Sequence, residues 1–217
     1  MRNGIQLTIV LLAMLAGGCA TSVKVTADFP EPLVDKLPLT VGILLNEKLS
    51  TYVHVEDPMM DAEWSIDIGQ ANVDMFRALF TGMFTEVIEL KLNDDGTPTL
   101  PATPTLDAVI EPRLEDFEFS VPQQSGNDQF TVWIRYNIHI STPEAEQISA
   151  WRVTAYGQVD EGTMGLGDGD AMQAATVIAL RDAAANIATG FSNAPGVRKQ
   201  LLAPSKLMFQ EKNDASF

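Results

Sequence analysis

The sequence predicts an α+β fold, a two-layer sandwich in which two helices lie on one face of a mainly antiparallel sheet. Three observations predict it. Apolar residues recur at spacings of three and four near residues 73–87 and 171–191, the mark of helices with one buried face. Residues 130–141 and 151–159 alternate apolar and polar side chains with the period of a strand, and Leu39 to Leu45 is a compact apolar run. The resulting order is strand, helix, three strands, helix, and such elements bury their apolar faces by stacking in layers.

Taken in order, Ala20 to Pro38 carries Pro30, Pro32 and Pro38 without a clean period and reads as a short tether. Leu39 to Leu45 is bounded by Pro38 and Asn46 and reads as a strand buried on both sides, with Thr51 to Val55 a second short strand and residues 57–61 a turn. The first helix is expected after Asp67, which can cap it while Gln70 reaches back in a capping box. Val73, Phe76, Phe80, Met83, Phe84 and Val87 form its apolar face, read as core rather than as the lining of a lipid cavity. Asn93 to Pro104 is a solvated loop. From Leu106 to Val121 the alternation changes phase between Leu114 and Phe117, and Pro112 interrupts the ladder, so a bulge is expected near Glu115.

Val132, Ile134, Tyr136, Ile138 and Ile140 share one phase of the next strand, with Trp133, Arg135, Asn137 and His139 on the other. Trp151, Val153, Ala155, Gly157 and Val159 alternate in the strand after it, and Thr142 to Gln147 joins the two as a hairpin. The last helix, Ala171 to about Phe191, places Val177, Leu180, Ala184, Ile187 and Phe191 on one stripe, with Asp170 and Gln173 as a second capping pair. Gly190, Pro195 and Gly196 end it, and the polar tail beyond is expected to be disordered. The domain plan is therefore 1–18 signal, 19–38 tether, 39–202 a single α+β domain and 203–217 tail.

Hydrophobic residues make up 46% of 217, enough for one sizeable core. Lys and Arg number 14 against 29 Asp and Glu, a net charge of -15 that disfavours nucleic acid and anionic surfaces as partners. The single cysteine allows no disulfide within the chain.

At the N-terminus Arg2 precedes an almost unbroken apolar stretch, Ile5 to Ala16, which is too short to span a bilayer as a helix and has the form of an export signal. Small residues then lead into the cysteine. Leu15-Ala16-Gly17-Gly18-Cys19 resembles the lipobox of bacterial lipoproteins, although Ala16 stands where the family most often has leucine. The resemblance implies cleavage before Cys19 and acyl chains on its sulfur and new amino terminus. At ~0.8 kcal/mol per buried methylene, two or three chains anchor a protein to a membrane essentially for good. Ala20, in place of the aspartate that retains family members at the inner membrane, implies an outer-membrane location facing the periplasm.

Behind that cysteine, the order of elements from Leu39 to Phe191 resembles that of envelope accessory lipoproteins, among them the lipopolysaccharide-assembly lipoprotein and the auxiliary lipoproteins of ABC-type lipid transporters. This implies a non-catalytic subunit that docks on a larger transport or assembly machine. A carrier of a lipid-like ligand is the alternative, and an envelope hydrolase ranks third.

Catalytic and cofactor motifs point the same way. Gly165-Leu166-Gly167-Asp168-Gly169 departs from the G-x-G-x-x-G spacing, and its aspartates would repel phosphate, so a capped connection is the expected role. His54 and His139 lack the neighbouring ligands a metal site needs, so neither metal nor cofactor is expected. The carboxylate groups Asp57, Asp61, Glu63 and Glu111, Glu115, Asp116 could supply an acid/base pair, but no nucleophile motif accompanies them. An envelope protein is the expected partner, and Trp133, Arg135 and Tyr156 are the candidate contact residues because aromatics and arginine are favoured at interaction hot spots. The competing expectation is that the helices simply cover them.

Overall fold

A computed structural model of the chain describes residues 21–56 and 64–203. Cys19 and the lipobox, the signal stretch, the acids Asp57, Asp61 and Glu63, and the polar tail lie outside the described residues. The larger of two sheets has the order β5 (Phe84–Glu89), β2 (Leu37–Ile43), β6 (Ala108–Ser120), β7 (Gln129–Ser141), β8 (Gln147–Asp160). β5, β2 and β6 run parallel, and β6, β7 and β8 run antiparallel. The smaller sheet has the order β1 (Thr21–Lys24), β4 (Trp64–Asp67), β3 (Val53–Val55). The helices are α1 (Glu47–Ser50), α2 (Gly69–Met83), α3 (Pro122–Ser125), α4 (Asp168–Gly190) and α5 (Val197–Gln200). The architecture is the α+β sandwich expected, with α2 and α4 as its two long helices.

β7 shows why the layers form. Its even-numbered residues from Phe130 to Ile140 are all buried, while the odd-numbered ones are half-exposed on the opposite face. The buried row faces the helices. Phe76 of α2 meets Tyr136 edge-on with ring centroids 5.2 Å apart and stacks on Phe80 at 5.7 Å. All three rings are fully buried, each contributing roughly 1.5–3 kcal/mol of apolar burial. Tyr136 also brings a hydroxyl into the core, and it donates a hydrogen bond to Asn72 Oδ1 on α2. The Asn72 amide in turn donates to the Leu49 carbonyl at 3.4 Å, so one buried polar chain ties β7, α2 and α1 together.

Three elements differ from the sequence expectation. The first helix ends at Met83, and Phe84 is already extended at φ -121°, ψ 155°. Phe84 and Val87, expected on the helix face, belong instead to β5, where Val87 pairs with Val41. The β-branched run Thr85, Val87, Ile88 suits a strand, and the parallel partner decides the conformation. Second, the supposed tether enters the fold. β1 pairs in parallel with β4, Val23 and Val25 are buried, and the Val25 amide donates to the Asp67 carbonyl at 2.9 Å. Third, β4 itself, at Trp64–Asp67, was not expected.

Neither capping box forms. Asp67 does accept from the Gly69 amide at 3.1 Å, but Gln70 donates to Asp74, four residues on, rather than back to the cap. α4 starts earlier than expected, after Gly167, so Asp170 falls inside its first turn and Gln173 reaches the Thr26 carbonyl. Asp168 and Asp170 there oppose the positive end of the helix dipole.

The buried stripe of α4 keeps Leu180, Ile187 and Phe191 as expected but is broader towards the alanines. Ala175, Ala179 and Ala183 are fully buried, whereas Val177 and Ala184 are only half-buried. Gly157 on β8 explains this, because a Cβ there would lie 1.9 Å from the Ala175 carbonyl oxygen and 2.5 Å from the Ala179 nitrogen. Helix and strand backbones therefore touch, and only alanine fits between them. The expected bulge is present: the β6–β7 register shifts between Leu114 and Asp116, leaving Glu115 as the extra residue.

Candidate functional site

With α2 and α4 on one face of the large sheet, the other face of β6, β7 and β8 carries the odd-numbered residues of β7 and their cross-strand neighbours. Trp133 sits opposite Tyr156 on β8 and opposite Glu118 on β6, and Arg135 sits opposite Asp116. The structure thus brings Trp133, Arg135 and Tyr156 together on the face away from Phe76 and Ile187. Tyr156 is 59% exposed.

This face is ordered by charge. The Arg135 guanidinium lies 4.8 Å from the centroid of the Trp133 ring and donates to Asp116 at 2.7 Å. Glu115, turned outward by the bulge, accepts from Asn137 at 2.8 Å and from Arg152 at 3.0 Å, with Arg135 Nε at 3.5 Å. The Asn137 hydrogen bond and the two arginines hold its carboxyl below the ordinary glutamate range. Burial would raise Glu111, but hydrogen bonds from Arg113 at 2.6 Å and Asn46 at 2.9 Å outweigh it, and its pKa too is lowered. Carboxylates so stabilised as anions are weak bases and poor proton donors near neutral pH.

Along the outer edge of β6 this face opens into a cleft of about 1040 Å³, bordered by α1, Leu92, Arg113 and His139. Asn46 forms its corner, since Oδ1 accepts from the Leu49 amide at 3.0 Å to cap α1 while Nδ2 reaches Glu111. His139 lies 3.4 Å from Arg113, and burial together with that positive neighbour lowers its pKa. His54 is elsewhere, in β3, with its ring 5.1 Å from Phe117 and 5.7 Å from Phe119. Among the described residues no three His, Cys, Asp or Glu side chains converge as a metal site would require. The Gly165–Gly169 segment closes a 3-10 turn and leads into α4.

Asn46, Arg113 and Asn137 were not singled out from the sequence. Pro112 and the phase change at Glu115 were the available signals, for both mark an irregular strand edge.

No protein-family model matches the chain, and no curated protein matches it by sequence. Among solved structures it resembles a minor lipoprotein of Acinetobacter baumannii, with 10% identity and a TM-score of 0.42 over 74% of this chain and 97% of that one. A hypothetical protein of Chlamydia trachomatis aligns with 9% identity and a TM-score of 0.41 over 70% and 97% of the two chains. A candidate lipoprotein of Caulobacter crescentus aligns over 43% of this chain and 70% of its own, with 10% identity and a TM-score of 0.31. Among the described residues no helix is long and apolar enough to cross a membrane.

Proposed function

We propose that this protein is a periplasm-facing lipoprotein, anchored in the outer membrane through Cys19, that serves as a non-catalytic docking subunit of an envelope transport or assembly system. The observation that carries the docking part is the face of β6–β8 that no helix among the described residues covers, where Trp133, Arg135 and Tyr156 stand together with Arg135 already paired to Asp116. A surface ordered before it meets its partner loses less side-chain entropy on binding. Of the carboxylates weighed for acid/base chemistry, Glu111, Glu115 and Asp116 are engaged in ion pairs with Arg113, Arg152 and Arg135, and the aromatic face of α2 is packed into the core.

The anchor part rests on the lipobox together with the position of β1. Because the first described strand starts at Thr21, two residues after Cys19, an acyl anchor would hold the domain against the bilayer rather than at the end of a long tether. A pull-down from detergent-solubilised envelopes, comparing the native chain, Cys19→Ser and Trp133→Ala/Tyr156→Ala, tests both parts. An integral envelope protein recovered with the native chain and lost with the double variant is the expected result. Equal recovery with the double variant would refute the face, and mass spectrometry of the native chain showing no acyl chains on Cys19 would refute the anchor.

A further inference from the structure

Two strand edges face each other where the sheets meet. β2 pairs with β6 only over Ala108–Ile110, and the last bond on that side runs from the Leu44 amide to the Ile110 carbonyl. From Pro112 to Ser120 that edge of β6 has no strand partner among the described residues. β3 is likewise the outer strand of its sheet, bonded to β4 on one side only. A groove runs between them. Beyond the cleft described above it continues for about 390 Å³ past Val55, Glu56, Phe117 and Glu118, and Tyr52 and Glu115 border both parts.

Chemistry and shape limit what can enter. The unpaired edge from Arg113 to Phe119 is roughly 23 Å long at ~3.3 Å per residue, the length of a seven-residue extended segment. Val53 and Val55, 44% and 56% exposed, offer an apolar wall along β3. Lys48 and Arg113 stand at the α1 end of the groove, and at the β3 end the charges are acidic: Glu56 and Glu118 make no ion pair among the described residues, and one Glu56 carboxylate oxygen is enclosed without a hydrogen-bond partner. His54 between them adds no compensating cation, since burial lowers its pKa. An acidic edge repels a second copy of a chain with net charge -15 and attracts a basic strand.

We propose that this groove receives an extended segment of a partner protein in which lysine or arginine alternates with aliphatic residues. The segment adds to β6 through main-chain hydrogen bonds and sets its basic side chains against Glu56 and Glu118. The inference rests on the docking reading above and names a second contact for it, along the β6 edge and adjoining the outer face at Glu118, which pairs across from Trp133.

The test uses the full-length protein in detergent and, as probe, a capped octapeptide of alternating valine and lysine, titrated by calorimetry. Wild type should bind it, and Glu56→Lys/Glu118→Lys should bind about tenfold or more weakly at an unchanged Tm. The same peptide N-methylated at alternate residues should lose binding, because it cannot pair with a strand edge while its charge is intact. A control reversal in the loop, Asp94→Lys/Asp95→Lys, should bind as wild type does. Absence of binding, survival of binding after N-methylation, or an equal effect of the control reversal would each overturn the proposal. So would an envelope partner retained by Glu56→Lys/Glu118→Lys in the pull-down, which would leave the docking reading standing on the outer face alone.

Discussion

Replacing Tyr136 by phenylalanine removes one oxygen from the centre of the molecule and leaves every ring contact in place. Tyr136 is fully buried between β7 and α2, and its hydroxyl is a hydrogen-bond donor to Asn72 Oδ1, which is buried as well. Without the hydroxyl that oxygen is stranded in an apolar core, at a cost of roughly 1–3 kcal/mol. In a domain of this size each kcal/mol lowers Tm by roughly 2–4 °C, so urea and thermal unfolding of Tyr136→Phe should both detect the change. A Tm within about 1 °C of wild type would refute the idea that the pair stabilises the fold.

A double-mutant cycle makes the same argument more stringent. Asn72→Leu strands the phenol hydroxyl and also the Leu49 carbonyl, whereas Tyr136→Phe/Asn72→Leu leaves only the carbonyl. The double variant should therefore be less destabilised than the two single costs added, by about 1 kcal/mol or more. Alkaline titration adds a second readout. Burial pushes the Tyr136 pKa above its ordinary value, so the contribution is fully present below about pH 10, where unfolded tyrosine begins to ionise, and is lost as pH rises from there. Tyr136→Phe should show a shallower alkaline loss than wild type.

Gly157→Ala should destabilise by about 3 kcal/mol or more, because its Cβ meets the Ala175 carbonyl of α4 at 1.9 Å and backbone cannot step aside as a side chain can; a urea midpoint equal to wild type would contradict this contact. Glu115, with its pKa held low by Asn137 and the arginines, contributes stability above about pH 4.3 that is lost as pH falls through the folded value. Glu115→Gln should flatten that acid limb of the stability curve, and an unchanged limb would remove Glu115 as its source.

The period of the sequence was enough to specify β7 and the length of β8 from Trp151 onward, since a strand with one buried face has to alternate, while the register shift at Ile148 went unread. It also located the bulge, because Leu114 and Phe117 can face the same side only if one residue between them is extra. By the same alternation Trp133 and Arg135 were bound to share a face, and the hairpin to Tyr156 followed from the turn at Thr142 to Gln147.

Elements that depend on a distant partner were not legible. Phe84 and Val87 continue the spacing of α2, and only the parallel pairing with β2, more than forty residues away, turns them into β5. Val23 and Val25 are two apolar residues in a short polar stretch until β4 takes them as its neighbour. The stripe of α4 read from residue size held at Leu180, Ile187 and Phe191 and missed Ala175, Ala179 and Ala183, since the approach there is set by a glycine on another strand. Whether the face bearing Trp133 was covered depended on which side the helices pack, and whether β6 kept a free edge beside β3 depended on where β2 ends its pairing. Local periodicity records which side of a strand is buried, but which edge stays open is a property of the whole sheet, and here only the tertiary structure decided it.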